Sequence, residues 1–392
     1  MQTFRCQSCD NPIYFENSRC THCDHVLGAL PDVTQMSALE PAGSGLWRPL
    51  AAQAQGRLYR QCDNYRQHQV CNWMVPADSD RPLCDACRFN TTIPNLSGPR
   101  NLEHWRRIER SKRRLIYGLM RLRLPLIDKR QDPERGLAFA FPSAQDAVPG
   151  ELVSTGHATG LITINIDEAD PAVRERARLD LDERYRTLLG HFRHEIGHYY
   201  WDLLIRGDID AADGTPGPTE AQQQRLDAFR AQFGDERADY SEALSMHYED
   251  GPPADWQDRF ISAYAAAHPW EDWAETWAHY LHIVDTLETA AHFGLEVERP
   301  MPNGEVQRSD PQFDPYRVDA FEPLIQHWLP LTFALNSLNR SMGLADLYPF
   351  VISGPVIDKL RFVHETIRRR HGIDPAVMPA TRRRQRGRLS AK

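Results

Sequence analysis

Apolar and polar positions change rhythm several times along the chain, and each change marks a segment. Between residues 102 and 122 apolar side chains recur at helical spacing, at Trp105, Ile108, Leu115, Leu119 and Leu122, which predicts one long helix with its many arginines on a solvated face. Residues 136–166 read as β structure. Within them Leu161-Ile162-Thr163-Ile164-Asn165-Ile166 alternates as a half-buried strand does. Residues 170–205 are strongly helical, with Pro171 near the start. An exposed loop is expected over 206–224, where Gly, Asp, Pro and Thr gather. From 224 to 371 the pattern is mainly helical, broken at Gly251-Pro252-Pro253 and over the polar stretch 298–315. Residues 30–45, rich in Pro, Ala, Gly and Ser, read as a loop, and 92–99 as a linker. No internal repeat is evident.

Composition narrows the class. A chain of 392 residues has room for two or three domains, and 41% hydrophobic with 26% charged residues is ordinary for a globular protein. The net charge of -8 argues against nucleic-acid binding by bulk electrostatics. The exception is the end of the chain, where Arg382, Arg383, Arg384, Arg386, Arg388 and Lys392 form a basic tail, read as disordered. No apolar run reaches membrane-spanning length, and Met1-Gln2-Thr3-Phe4-Arg5-Cys6 has no signal-peptide core. A soluble, cytoplasmic protein with no membrane partner is expected.

All eight cysteines fall before residue 90. Cys6-x2-Cys9 and Cys20-x2-Cys23 are paired knuckles of the kind that place four thiolates around zinc. Cys62, Cys71, Cys84 and Cys87 form a second quartet, with a wide first interval that leaves His68 open as a substitute ligand. Both sites would be closed and structural, and so small a module needs its metal to fold. The module is expected over 1–97, as a cap or as a docking surface for a protein partner. A helical connector over 98–135, a larger α+β domain over 136–375 and the tail over 376–392 would follow.

The chemistry centres on His194-Glu195-Ile196-Gly197-His198. On a helix, residues four apart share a face, so both imidazoles can meet one ion while Glu195 reaches its water. Such a glutamate acts as general base. A third ligand is sought in Trp270-Glu271-Asp272-Trp273-Ala274-Glu275, with Glu271 assigned to the metal and Glu275 to the second N–H of a ligating histidine. Glu236-Arg237-Ala238-Asp239 competes for the ligand role. His279 and His282 read as packed, neutral histidines. Tyr264, seven residues before Glu271, could serve the oxyanion or simply fill the core. One catalytic and two structural Zn2+ ions are therefore expected.

The stretch 191–200, with Gly234-Asp235-Glu236-Arg237, His247-Tyr248-Glu249-Asp250-Gly251-Pro252-Pro253 and Trp270–Glu275, resembles the bacterial family of putative zinc-binding metallopeptidases. Its members carry an N-terminal zinc-ribbon domain, and the similarity covers nearly the whole chain. The resemblance implies a zincin-like catalytic domain, mostly helical in its C-terminal half, that hydrolyses peptide or protein substrates. The glutamate-zincins often place the ligand glutamate four residues before a second acidic residue. The anthrax lethal factor family adds a tyrosine seven residues earlier, and Tyr264, Glu271 and Glu275 match that spacing. The interval from His198 to Glu271 is longer than in compact members. Two rivals stand beside the peptidase: a zinc amidohydrolase acting on a small substrate, and a non-enzymatic ribbon protein with a vestigial site. The 161–166 strand is expected to pair with an extended peptide.

Overall fold

In the computed structural model, residues 2–143, 156–180, 187–207 and 217–369 are described. The basic tail therefore lies outside the described residues.

The cysteine-rich part is more sheet than loop. β1 (Phe4–Arg5) and β2 (Pro12–Ile13) pair across the first knuckle. Five antiparallel strands then follow in sequence order: β3 (Val26–Leu30), β4 (Gln35–Pro41), β5 (Leu46–Pro49), β6 (Tyr59–Gln61) and β7 (Met74–Pro76). The expected loop over 30–45 is instead a hairpin, with Met36, Ala38 and Leu39 fully buried. Small residues carry little strand propensity, and packing overrides them here. Gly28 allows that packing, since a Cβ there would lie 2.5 Å from Met74. A short helix, α1 (Asp63–His68), separates β6 from β7.

β8 (Asn90–Thr92) leaves this part and joins the next sheet. After the long helix α2 (Asn101–Arg121) come β9 (Ala138–Ala140), β10 (Gly156–Ala158) and β11 (Leu161–Thr163). The sheet order is β10-β11-β9-β8, with β9 parallel to both its neighbours and β10 antiparallel to β11. Two expectations change here. The strand read over 161–166 ends at Thr163, because Asn165 accepts a hydrogen bond from the Asp167 N–H and starts a 3-10 turn, Ile166–Ala169. That strand is also interior, so it has no free edge to offer a peptide; among the described residues the outer strand on that side is β10.

The remainder is helical: α3 (Pro171–Asp180), α4 (Leu188–Trp201), α5 (Glu220–Phe233), α6 (Tyr240–Asp250), α7 (Trp256–Arg259), α8 (Pro269–Phe293), then α9 (Glu322–Ser341) and α10 (Gly354–Arg369). Within the expected 206–224 loop, α5 already starts at Glu220, fixed by a Thr219/Gln222 capping box. The polar stretch after Glu296 is an antiparallel hairpin of β12 (Val297–Pro300) and β13 (Val306–Ser309). α2 departs from a simple solvated face as well. Lys112 and Arg113 are buried, Lys112 against an equally buried Glu109 at 2.9 Å.

α4 and α8 pack directly on one another, and Gly197 sets how close they come. A Cβ at Gly197 would stand 2.9 Å from Ala274 Cα. Trp273 Nε1 donates to the Gly197 carbonyl at 2.8 Å, and Arg193 spans the same interface to Asp285 at 2.7 Å.

Candidate metal centre

Three groups of potential ligands converge among the described residues: Cys6, Cys9, Cys20 and Cys23; Cys62, Cys71, Cys84 and Cys87; and His194, His198 and Glu271. The spacing is informative. Thiolates about 2.3 Å from a tetrahedral zinc stand about 3.8 Å apart, and nitrogens at about 2.05 Å stand about 3.3 Å apart. Cys6 and Cys23 lie 3.6 Å apart, as do Cys9 and Cys20, and Cys71 and Cys84 lie 3.8 Å apart. His68 stays out of the second quartet, its ring 5.4 Å from that of Trp105.

The third group sits where α4 crosses α8. Thr187 caps α4 by accepting from the Gly190 N–H, and the helical repeat brings His194 and His198 to one face, with their Nε2 atoms 3.2 Å apart. α8 is opened by the His268 side chain and Pro269, which places Glu271 in its first turn beneath those imidazoles. Glu271 Oε2 lies 3.0 Å from His194 Nε2, and Oε1 lies 3.7 Å from His198 Nε2. One turn later Glu275 Oε1 accepts from His194 Nδ1 at 2.8 Å, and Ser262 donates to the other Glu275 oxygen at 2.7 Å.

This arrangement fits a divalent cation. Because Nδ1 of His194 donates to Glu275, its Nε2 presents a lone pair, and it faces the buried carboxylate of Glu271. Glu271 Oε2 accepts no hydrogen bond despite that 3.0 Å approach. Burial alone would strip the charge from both groups. The carboxylates of Glu271 and Glu275 override it at His194, whose affinity for a proton is held well above the ordinary value. Glu271 is likewise kept below the usual carboxylate range, against burial, chiefly by His198 and His194. A potential that would hold a proton at His194 Nε2 will hold a dication more strongly.

Other expected residues fall as follows. Glu195 is buried on α4, 3.3 Å from His191 Nε2. Tyr264 lies in a 3-10 turn, Tyr264–Ala266, with its ring 5.9 Å from the His194 ring. Glu236 is engaged by Arg230 and Asp239 caps α6, so the competing segment supplies no ligand. His279 meets the Tyr348 hydroxyl at 2.7 Å, and His282 meets Arg193 at 2.6 Å. Burial holds His279 neutral, at a pKa of about 4.

Five participants were not singled out in the sequence: Tyr240, Ser262, Glu168, His191 and His157. Tyr240 donates to Glu271 Oε1 at 2.7 Å, Ser262 braces Glu275, Glu168 meets His191 Nδ1 at 2.7 Å, and the His157 ring on β10 stacks 6.3 Å from that of His198. Only His191 had a local signal for its position, four residues before Glu195. The others come from segments far away in sequence.

A family model described as putative zinc-binding metallo-peptidase matches residues 101–366, and a zinc-ribbon domain model matches 3–98. The chain belongs to this zinc-binding metallo-peptidase family. Uncharacterized proteins of Mycobacterium tuberculosis and Mycobacterium bovis are each 41% identical to it over 384 residues, which cover 98% of this chain and 99% of each relative. No solved structure matches the chain. Among the described residues of this family member, no helix is long and apolar enough to cross a membrane.

Proposed function

We propose that this chain is a zinc peptidase of zincin-like fold that hydrolyses peptide bonds with Glu195 as general base. The observation that carries the reading is the convergence of His194, His198 and Glu271 with Glu195 on the same buried helix. His194, His198 and Glu271 would hold the ion, with Glu275 fixing the tautomer of His194. When bound, zinc supplies a Lewis acid that polarises the scissile carbonyl and acidifies water.

The chain's own residues do the rest. Glu195 takes the proton of the attacking water and later delivers it to the leaving amine. Burial, followed by Glu271, raises the pKa of Tyr264, so its phenol stays protonated and can donate to the developing oxyanion. β10, the outer strand beside α4 among the described residues, would offer the substrate backbone an edge that β11 does not. The two cysteine quartets would each hold a structural Zn2+, giving three ions per chain. The ribbon would serve as a docking surface for a protein partner, and the enzyme would operate in the cytoplasm.

A peptide-library digest tests this. Wild type should cleave, and Glu195→Gln should keep all three zinc ions while losing at least about 10²-fold in kcat. Unchanged turnover in Glu195→Gln would remove Glu195 from its role.

A further inference from the structure

Glu195 is not free to turn. His191, one helical turn before it, presents Nε2 to Glu195 Oε1 at 3.3 Å. Its other ring nitrogen, Nδ1, meets Glu168 Oε2 at 2.7 Å. Glu168 belongs to a different layer, in the 3-10 turn that Asn165 starts after β11. The three side chains make a carboxylate–imidazole–carboxylate row that runs from the turn after β11 to the base. All are largely buried: the side chains of His191 and Glu168 are 15% exposed each, and that of Glu195 is 9% exposed.

We propose that His191 is a positioning residue, held from the turn after β11 by Glu168, that fixes the carboxylate of Glu195 for proton transfer. The proposal deepens the peptidase reading and rests on Glu195 as base. A glutamate has three side-chain torsions, and a base that must stand within hydrogen-bond reach of one proton gains rate when those torsions are set in advance. Metal ligation does not set them, because Glu195 is not among the ligands. Nothing in the two-histidine pattern requires an imidazole at position 191 either.

The row also fixes the charge of its central member. Ionised carboxylates only accept hydrogen bonds, so an imidazole between two of them donates from both nitrogens and is a cation. Burial opposes that charge, but Glu168 and then Glu195 overcome it, raising the His191 pKa to about 9. The cation thus holds the base in register, and Glu168 keeps the cation in place.

Two readouts test the row, one of them independent of activity. In zinc-loaded protein labelled with 15N-histidine, His191 should show both ring N–H groups at neutral pH. Glu168→Ala should expose the Nδ1–H to fast exchange, and Glu195→Ala the Nε2–H. A single neutral tautomer for His191 in wild type would overturn the proposal, whatever the substrate proves to be. On a peptide cleaved by wild type, His191→Phe should lower kcat by about 10- to 100-fold, with KM and zinc content unchanged. His191→Gln, which keeps a donor toward Glu195, should recover part of the loss, and Glu168→Ala/His191→Phe should be no worse than His191→Phe alone. Full activity in His191→Phe, or a loss that follows zinc, would also overturn the proposal. Glu195→Gln separates the two levels. If it is inactive while His191→Phe is fully active, only the positioning role fails; if it is fully active, the base itself is misassigned.

Discussion

At the scale of single residues, the candidate metal centre is braced by hydrogen bonds to the residues proposed as its ligands and to their partners. Tyr240 gives its hydroxyl proton to Glu271, as His194 gives Nδ1–H to Glu275. Losing such an outer partner typically weakens metal binding about 10- to 100-fold. Tyr240→Phe should therefore release zinc from this site at lower chelator concentration, with the cysteine sites unaffected; equal retention in chelator competition would show that the phenol does nothing for Glu271. His279 makes a separate point. Its folded-state pKa is about 4 because burial disfavours its charge. Below its unfolded value near 6.5, the unfolded chain takes up a proton that the folded chain refuses. The contribution of neutral His279 is thus intact above pH 6.5 and is lost as pH falls toward 4, by about 1.4 kcal/mol per unit or about 3 kcal/mol in all. Denaturant unfolding of His279→Gln should show a shallower acid decline than wild type over that window, and parallel curves would contradict it.

At the scale of elements, the decisive contact is the crossing of α4 and α8. Gly197 is one of the two unspecified positions in the His-Glu-x-x-His pattern, yet its missing side chain lets Ala274 approach, and Ala274 lies between Glu271 and Glu275. In Gly197→Ala the added methyl meets backbone and the Trp277 Cβ at 3.2 Å, neither of which can rotate away. Overpacking of this kind costs about 1–3 kcal/mol. The variant should lose thermal stability and hold zinc more weakly at the histidine site, read by thermal unfolding and chelator competition; a wild-type result in both would mean the helices have slack. Much of this level was legible beforehand. His194, His198, Glu195, Glu271 and Glu275 have helical spacing, and α2 shows its apolar stripe. The hairpin over 26–41 was not legible, because Gly, Ala and Ser say little until something packs on them. Tyr240, Ser262 and Glu168 were also hidden, since each reaches the site by tertiary folding from an unremarkable segment. The strand read over 161–166 had the right residues buried, with Ile162, Ile164 and Ile166 all inside, but periodicity does not tell an interior strand from an outer one.

At the scale of the whole molecule, ribbon and peptidase parts share buried chemistry as well as a sheet. Cys87 contacts Glu109 at 3.9 Å, Glu109 pairs with Lys112, and Lys112 lies over Phe139 and Phe141, which pack on Phe192 of α4. Breaking a buried pair from one side strands a charge, at about 3–5 kcal/mol. Lys112→Met should be destabilised to that extent, and Glu109→Gln/Lys112→Met should recover part of it. An additive double variant in denaturant titrations would show that the pair is not a unit.

The parallel pairing of β8 with β9 bears finally on how the molecule is made. A chain leaving the ribosome exposes the cysteine quartets, and with them Asn90–Thr92, well before Ala138–Ala140 emerge. Parallel strands are slow to find each other because of the chain they must loop out. A ribbon already folded on its metal removes half of that search by presenting β8 in place. If the ribbon folds on zinc as proposed, limiting zinc during translation should lower the yield of the downstream fold before any zinc reaches the histidines, and an unchanged soluble yield in zinc-depleted cell-free synthesis would contradict it.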